Sequence, residues 1–140
     1  MESNLKNIRE AKLKAFTLNE LLVVLIIIGI LVALAIPSLL PLISKARSTE
    51  AKLQLNSLLT FQKTYFFENA RYAPSLDDAG FEQQKLSTEG GQANYKIEIT
   101  EATNTGFKAR ATAVVDFNGN GTFNVWEIDQ DNHLKEVQKD

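Results

Sequence analysis

The 140-residue chain carries 15 Lys+Arg against 17 Asp+Glu, a net charge of -2 that excludes the strongly basic surface of a general nucleic-acid binder. It contains no cysteine, which removes any disulfide framework, thiolate nucleophile or thiolate metal site. Once a leader and a membrane segment are set aside, only one small soluble domain remains.

Residues 1–15 hold Lys6, Arg9, Lys12 and Lys14 against Glu2 and Glu10, and the chemistry changes abruptly at Phe16. From residue 21 to residue 36 every position is apolar or glycine: thirteen are Leu, Val or Ile, joined by Gly29, Ala33 and Ala35. As one helix, residues 16–36 span roughly 31 Å at ~1.5 Å per residue, close to the ~30 Å hydrocarbon thickness of a bilayer. The positive flank predicts a cytoplasmic N-terminus, with everything after Ile36 on the far side. Glu20, at the edge of the apolar run, calls for a partner. Cleavage before Phe16 would place a new α-ammonium four residues away on the same helical face, and a neighbouring chain's ammonium could serve equally. Alternatively, Glu20 marks the interfacial end of an ordinary anchor and reaches water. Another alternative takes the first 35 residues as a secretory signal ending at Ala33-Leu34-Ala35, which leaves the following helix unanchored.

The stretch Ala15-Phe16-Thr17-Leu18-Asn19-Glu20-Leu21, continuing apolar to Pro37, closely resembles the prepilin signature of type IV pilins and the related pseudopilins of type II secretion. The resemblance implies that a membrane prepilin peptidase cuts between Ala15 and Phe16, that Phe16 is then N-methylated, and that Glu20 directs assembly. Two positions depart from the pattern: Ala15 stands where Gly is usual, and Asn19 where an aliphatic is usual.

Beyond Pro37 the chain stays helical in character. Residues 44–69 lack Gly and Pro and set Ala51, Leu55, Leu58, Gln62 and Phe66 on one stripe. A single long helix interrupted near its middle is expected, with Gly29, Pro37 and Pro41 as weak points. Either the prolines only kink it, or, as the resemblance implies, the segment between Gly29 and Pro37 melts in an assembled filament. Tyr72-Ala73-Pro74 predicts a helix end near Ala70. Residues 65–81 again resemble the helix-to-head junction of pilins and major pseudopilins. Asp77 and Asp78 read as turn or capping residues. Period-two alternation predicts strands at 95–100, 107–115, 122–128 and 134–137. The fold class expected is α+β: a long N-terminal helix, membrane-spanning in its first half, packed on a small antiparallel sheet in a pilin-like head. The division is a cleaved basic leader at 1–15, a transmembrane and assembly helix at 16–36, its continuation at 37–70, and a β-rich head at 71–140.

Asp116, Asn118, Asn120, Thr122 and Glu127 follow the spacing of a calcium loop, because alternate oxygen side chains of a tight loop converge on a hard cation. The competing reading is a β-turn that uses Asn-Gly for positive φ and binds nothing. With two carboxylates the site is weak unless Asp129 or Asp131 joins it. His133, the sole histidine, lies in a polar stretch, and neither a nucleophile elbow nor a phosphate loop is present, so an enzyme is the poorer hypothesis.

The function expected is a structural subunit of a type IV pilus-like filament. Its partners are copies of itself, prepilin peptidase, the pilus or secretion assembly platform and the membrane, with no nucleic-acid site evident. The precursor sits in the cytoplasmic membrane, and the filament outside it or in the periplasm. The alternatives are a pseudopilin of a type II secretion or DNA-uptake machine, and a membrane-anchored binding module that never polymerises.

Overall fold

A computed structural model describes residues 15–140, so the expected leader lies outside the described residues except for Ala15. The first element is α1 (Leu18–Asn69), 52 residues long. Thr17 opens it. Its hydroxyl accepts the Glu20 N–H at 3.2 Å, while the Thr17 N–H and hydroxyl donate to Glu20 Oε2 at 2.8 and 2.9 Å. This reciprocal arrangement satisfies N–H groups that the first turn of a helix otherwise leaves without partners. Phe16 therefore precedes the helix instead of sharing a helical face with Glu20, which corrects the expected start at residue 16.

Helical structure continues through Gly29, Pro37 and Pro41, so the break expected near the middle of α1 is not found in the single chain. Each proline has a fixed φ that suits a helix, and its effect is local: the carbonyls of Ala33 and Pro37 lose their i+4 donors.

The chain divides into two units, the first ending at Pro37 and the second being Ser38–Asp140. In the first, residues 15–37 are all exposed, and the helix is long and apolar enough to cross a membrane. The second unit holds the core. There Ala51, Leu55, Leu58 and Gln62 are fully buried, as the stripe spacing requires, and Phe66 is half-buried. Gln62 stays in this apolar stripe because its amide accepts the Ala73 N–H at 2.8 Å and donates to the Ala73 carbonyl at 2.9 Å, pinning the returning chain to the helix. Helix α1 ends as Ala70 turns to φ 54, its N–H still donating to the Phe66 carbonyl. A short helix α2 (Leu76–Ala79) follows, capped by Ser75 and Asp78.

Four strands, β1 (Tyr95–Ala102), β2 (Phe107–Ala113), β3 (Val125–Asp129) and β4 (Lys135–Gln138), form an antiparallel meander in chain order. Ile97 pairs with Ala111 and Ala111 with Trp126, while Ala109 pairs with Ile128. That register puts Tyr95, Ile97, Phe107, the β2 alanines and Ile128 on one face, in a core shared with the α1 stripe. On the opposite face Glu98, Arg110, Glu127 and Lys135 are successive cross-strand partners of alternating sign. The Gln83 side chain lines the open edge of β1, accepting the Ile97 N–H at 2.8 Å and donating to the Tyr95 carbonyl at 3.2 Å. The third strand begins at Val125 and not at Thr122, because the Thr122 N–H is taken by Asn120 Oδ1 within the preceding loop.

Candidate functional site

Two places carry the sequence-derived site residues. The first is the start of α1. Ala15, Phe16 and Glu20 lie within one short exposed stretch, with Phe16 79% exposed. Gly29 lies in the same exposed helix, and a Cβ built on it would meet nothing within 4 Å.

The second place is the β2–β3 connection. Asp116 organises it: Oδ1 accepts the N–H groups of Asn118 at 3.2 Å and Gly119 at 2.6 Å, and Oδ2 accepts that of Gly121 at 2.7 Å. Asn118 Oδ1 accepts the Asn120 N–H at 2.9 Å, and Asn120 Oδ1 accepts the Thr122 N–H at 2.7 Å. Gly119 and Gly121 take φ of 76 and 84, the left-handed conformation such a turn demands. The Gly121 N–H holds the Asp116 carboxyl below its usual range, outweighing a desolvation that opposes it, and the N–H groups of Gly119, Asn118 and Asn120 add to the effect. A carboxyl with a lowered folded-state pKa contributes stability above its ordinary pKa and loses it as the pH falls through the lowered value, so the loop loosens only in acid.

Of the five expected calcium ligands, Asp116, Asn118, Asn120 and Thr122 share this loop and Glu127 does not. Glu127 stands in β3, where Arg110 donates to its Oε1 from Nε at 3.0 Å and from Nη2 at 2.6 Å, and Lys135 lies 3.9 Å from Oε2. Asp129 and Asp131 do not join the loop either. Asp129 ends β3, about 13 Å from its first residue Val125 at ~3.3 Å per residue, and Asp131 lies in the β3–β4 turn. There the ligand atoms of Asp129, Asp131 and His133 lie within 4.8 Å of one another. Burial pushes the Asp129 carboxyl up, but the His133 backbone N–H and imidazole and the Asp131 N–H bring it to a net position below its usual range. Calcium takes about six to eight oxygens. As folded, this loop offers one carboxylate, and both of its oxygens already face N–H groups.

Comparison with known proteins decides the family. The profile described as "Type IV minor pilin ComP, DNA uptake sequence receptor" matches residues 37–122, more than half of the chain. The chain belongs to the type IV pilin family. Its relatives include the type IV major pilin protein PilA of Myxococcus xanthus, 37% identical over 84 residues, covering 60% of this chain and 36% of that protein. The type IV wide pilus major component PilA4 of Thermus thermophilus is 44% identical over 59 residues, 42% of this chain and 45% of its own. Fimbrial protein Q of Moraxella bovis is 35% identical over 102 residues, 71% of this chain and 62% of its own. The matched stretches thus span less than two thirds of each relative's length.

The family match ends at residue 122, and key residues that organise the head of this pilin, several of them beyond that point, escape sequence reasoning. Asn124 is fully buried. Its Oδ1 accepts from the Tyr95 hydroxyl and from Trp126 Nε1, both at 2.7 Å, and its Nδ2 donates to Glu136 Oε1 at 2.7 Å and the Gln138 carbonyl at 3.0 Å. Burial, with the charges of Glu50, Asp140 and Glu136, pushes the Tyr95 hydroxyl well above its usual range, so it remains a donor. Glu50 of α1 accepts the Asn94 N–H at 2.7 Å and its Nδ2 at 2.8 Å, fixing the start of β1 on the helix. No local pattern announces these contacts. The Thr17 cap is different: Thr-x-x-Glu before an apolar run is a legible capping box.

Proposed function

We propose that the protein is a structural, non-catalytic subunit of a type IV pilus-like filament. It is held in the cytoplasmic membrane through residues 16–36 with its N-terminus on the cytoplasmic side. Prepilin peptidase cuts it between Ala15 and Phe16, and an assembly platform adds it to copies of itself. The observation that carries this reading is the apolar helix of a pilin-family chain, exposed throughout residues 18–37 and interrupted there by a carboxylate only at Glu20. Such a surface is stable only in lipid or against other helices. Named relatives that are pilus and fimbrial components support the second option as the final state.

The test is electron microscopy of sheared cell-surface fibres with peptide identification and N-terminal mass spectrometry. The expected result is fibres containing this chain, beginning at a methylated Phe16. Fibres that lack the chain, or a mature start at Met1 or Ile36, would overturn the proposal.

The description of the matched profile as a DNA uptake sequence receptor favours one alternative, a subunit serving DNA uptake. The alternating charges on the outer sheet face are not a phosphate-binding stripe, so DNA contact would rest on few cations. Retardation of a short duplex by the protein at low salt would favour this alternative.

Calcium at Asp116, Asn118, Asn120 and Thr122 is a proposal of smaller weight, because the ion must displace N–H groups and lacks Glu127. Melting curves in millimolar calcium and in chelator decide it. A modest rise in melting temperature in calcium that Asp116→Ala abolishes is the result the proposal expects, and coincident curves would reject the site.

A further inference from the structure

The β2–β3 loop holds two Asn-Gly pairs in succession, Asn118-Gly119 and Asn120-Gly121. In such a pair the glycine nitrogen is sterically free to attack the asparagine side chain, since no Cβ shields it. Hydroxide removes the amide proton, and the Gly119 nitrogen bonds to Asn118 Cγ. The Cγ–Nδ2 bond then breaks, and ammonia leaves with a proton from water. Water opens the resulting cyclic imide at either carbonyl, giving aspartate or isoaspartate; the net change is amide plus water to acid plus ammonia. The same chemistry is available to Gly121 and Asn120.

Features of the loop favour this reaction. Asn120 and both glycines are exposed, and a Cβ on either glycine would meet nothing within 4 Å. Each asparagine carbonyl also accepts a backbone N–H, at 2.9 Å for Asn118 and 2.7 Å for Asn120, which would stabilise the oxyanion that forms on attack. Yet the two attacking nitrogens are both held by Asp116, Gly119 at 2.6 Å and Gly121 at 2.7 Å. Deprotonating either nitrogen would set an anion against a carboxylate oxygen, where like charges repel strongly. Attack would also require each N–H to leave a charge-assisted hydrogen bond. We infer that Asp116 is a chemical guard: by holding both glycine N–H groups it keeps Asn118 and Asn120 from deamidating, in a loop otherwise set up to do so.

The test is incubation of the full-length protein at mildly alkaline pH, well below its melting temperature, with peptide mapping of residues 111–135. A synthetic peptide of the same residues gives the unguarded rate. The parent should deamidate at least about tenfold more slowly than the peptide, and Asp116→Ala should recover most of that factor at both asparagines while its circular dichroism stays native. Asp116→Asn, which keeps a neutral acceptor, should fall between them. A parent as fast as the peptide, or a folded Asp116→Ala as slow as the parent, overturns the assignment. Should the Ala variant unfold, Asp116→Asn and hydrogen exchange in the parent decide. Fast exchange at Gly119 and Gly121 would also overturn it.

Discussion

Replacing Glu20 by Ala or by Gln should leave the subunit in the membrane and abolish fibres. The thirteen large aliphatics of residues 21–36 contribute about -4 to -8 kcal/mol to insertion, against a carboxylate cost of ~3 kcal/mol. Membrane fractionation should therefore be unchanged or slightly improved. Transfer from lipid to filament is another matter. There, on the proposed cleavage, the new α-ammonium of Phe16 would enter a bundle of apolar helices, and a buried ammonium without its partner costs about 3–5 kcal/mol. A loss of that size at every subunit stops growth. The two substitutions separate two roles. In this chain Glu20 completes a capping box with Thr17, and Gln serves in that box while carrying no charge. Fibre loss in both variants, scored by electron microscopy at normal precursor levels, identifies the charge as the operative property. Normal fibres from Glu20→Gln would reduce Glu20 to a helix cap and return weight to the non-polymerising module.

Asn124→Ala should destabilise the head by about 3–5 kcal/mol, because the Tyr95 hydroxyl and Trp126 Nε1 each lose a partner at roughly 1–3 kcal/mol and a cavity is added. For a domain of this size the corresponding fall in melting temperature is on the order of 15–30 °C. Trp126 is the only tryptophan, so its fluorescence reports the transition directly. Asn124→Asp is informative in a second way. It keeps the acceptor for Tyr95 and Trp126 but sets a carboxyl against Glu136, which raises its folded-state pKa. A carboxyl raised on folding costs stability above its ordinary pKa and ceases to do so as acid protonates it. The Asp variant should therefore regain stability as the pH falls, where the Ala variant should not. An Ala variant melting within a few degrees of the parent would show that water replaces the amide.

The parts of this fold that were legible in the sequence are those set by periodicity. A helix repeats every ~3.6 residues and a strand every two, so Ala51, Leu55, Leu58 and Gln62 announce a buried stripe, and Ile97, Ala109 and Ala111 a buried sheet face. Positions near the ends of elements are less legible. Thr122 continues an apolar-polar alternation, yet its N–H is taken by Asn120 and the strand starts later. Glu127 illustrates the same limit for the candidate site. Its spacing from Asp116 fits a calcium loop in one dimension, but pleating turns it to the outer face, where Arg110 and Lys135 arrive from neighbouring strands.

By itself, then, the sequence determined the elements with a strong local cause: an uncut apolar run long enough for a bilayer, a capping box ahead of it, a proline that ends the helix region, and the alternation that makes strands. It also carried the prepilin-like stretch from which Glu20, Ala15 and Phe16 were singled out. Tertiary structure alone decided which polar groups became structural. Glu50 finds Asn94 across 44 positions, Gln62 finds Ala73 across 11, and Asn124 collects Tyr95, Trp126, Glu136 and Gln138. No local preference encodes these pairings. A buried polar group must find a partner wherever the folded chain brings one within reach, and that position is set only after the helix and sheet have packed.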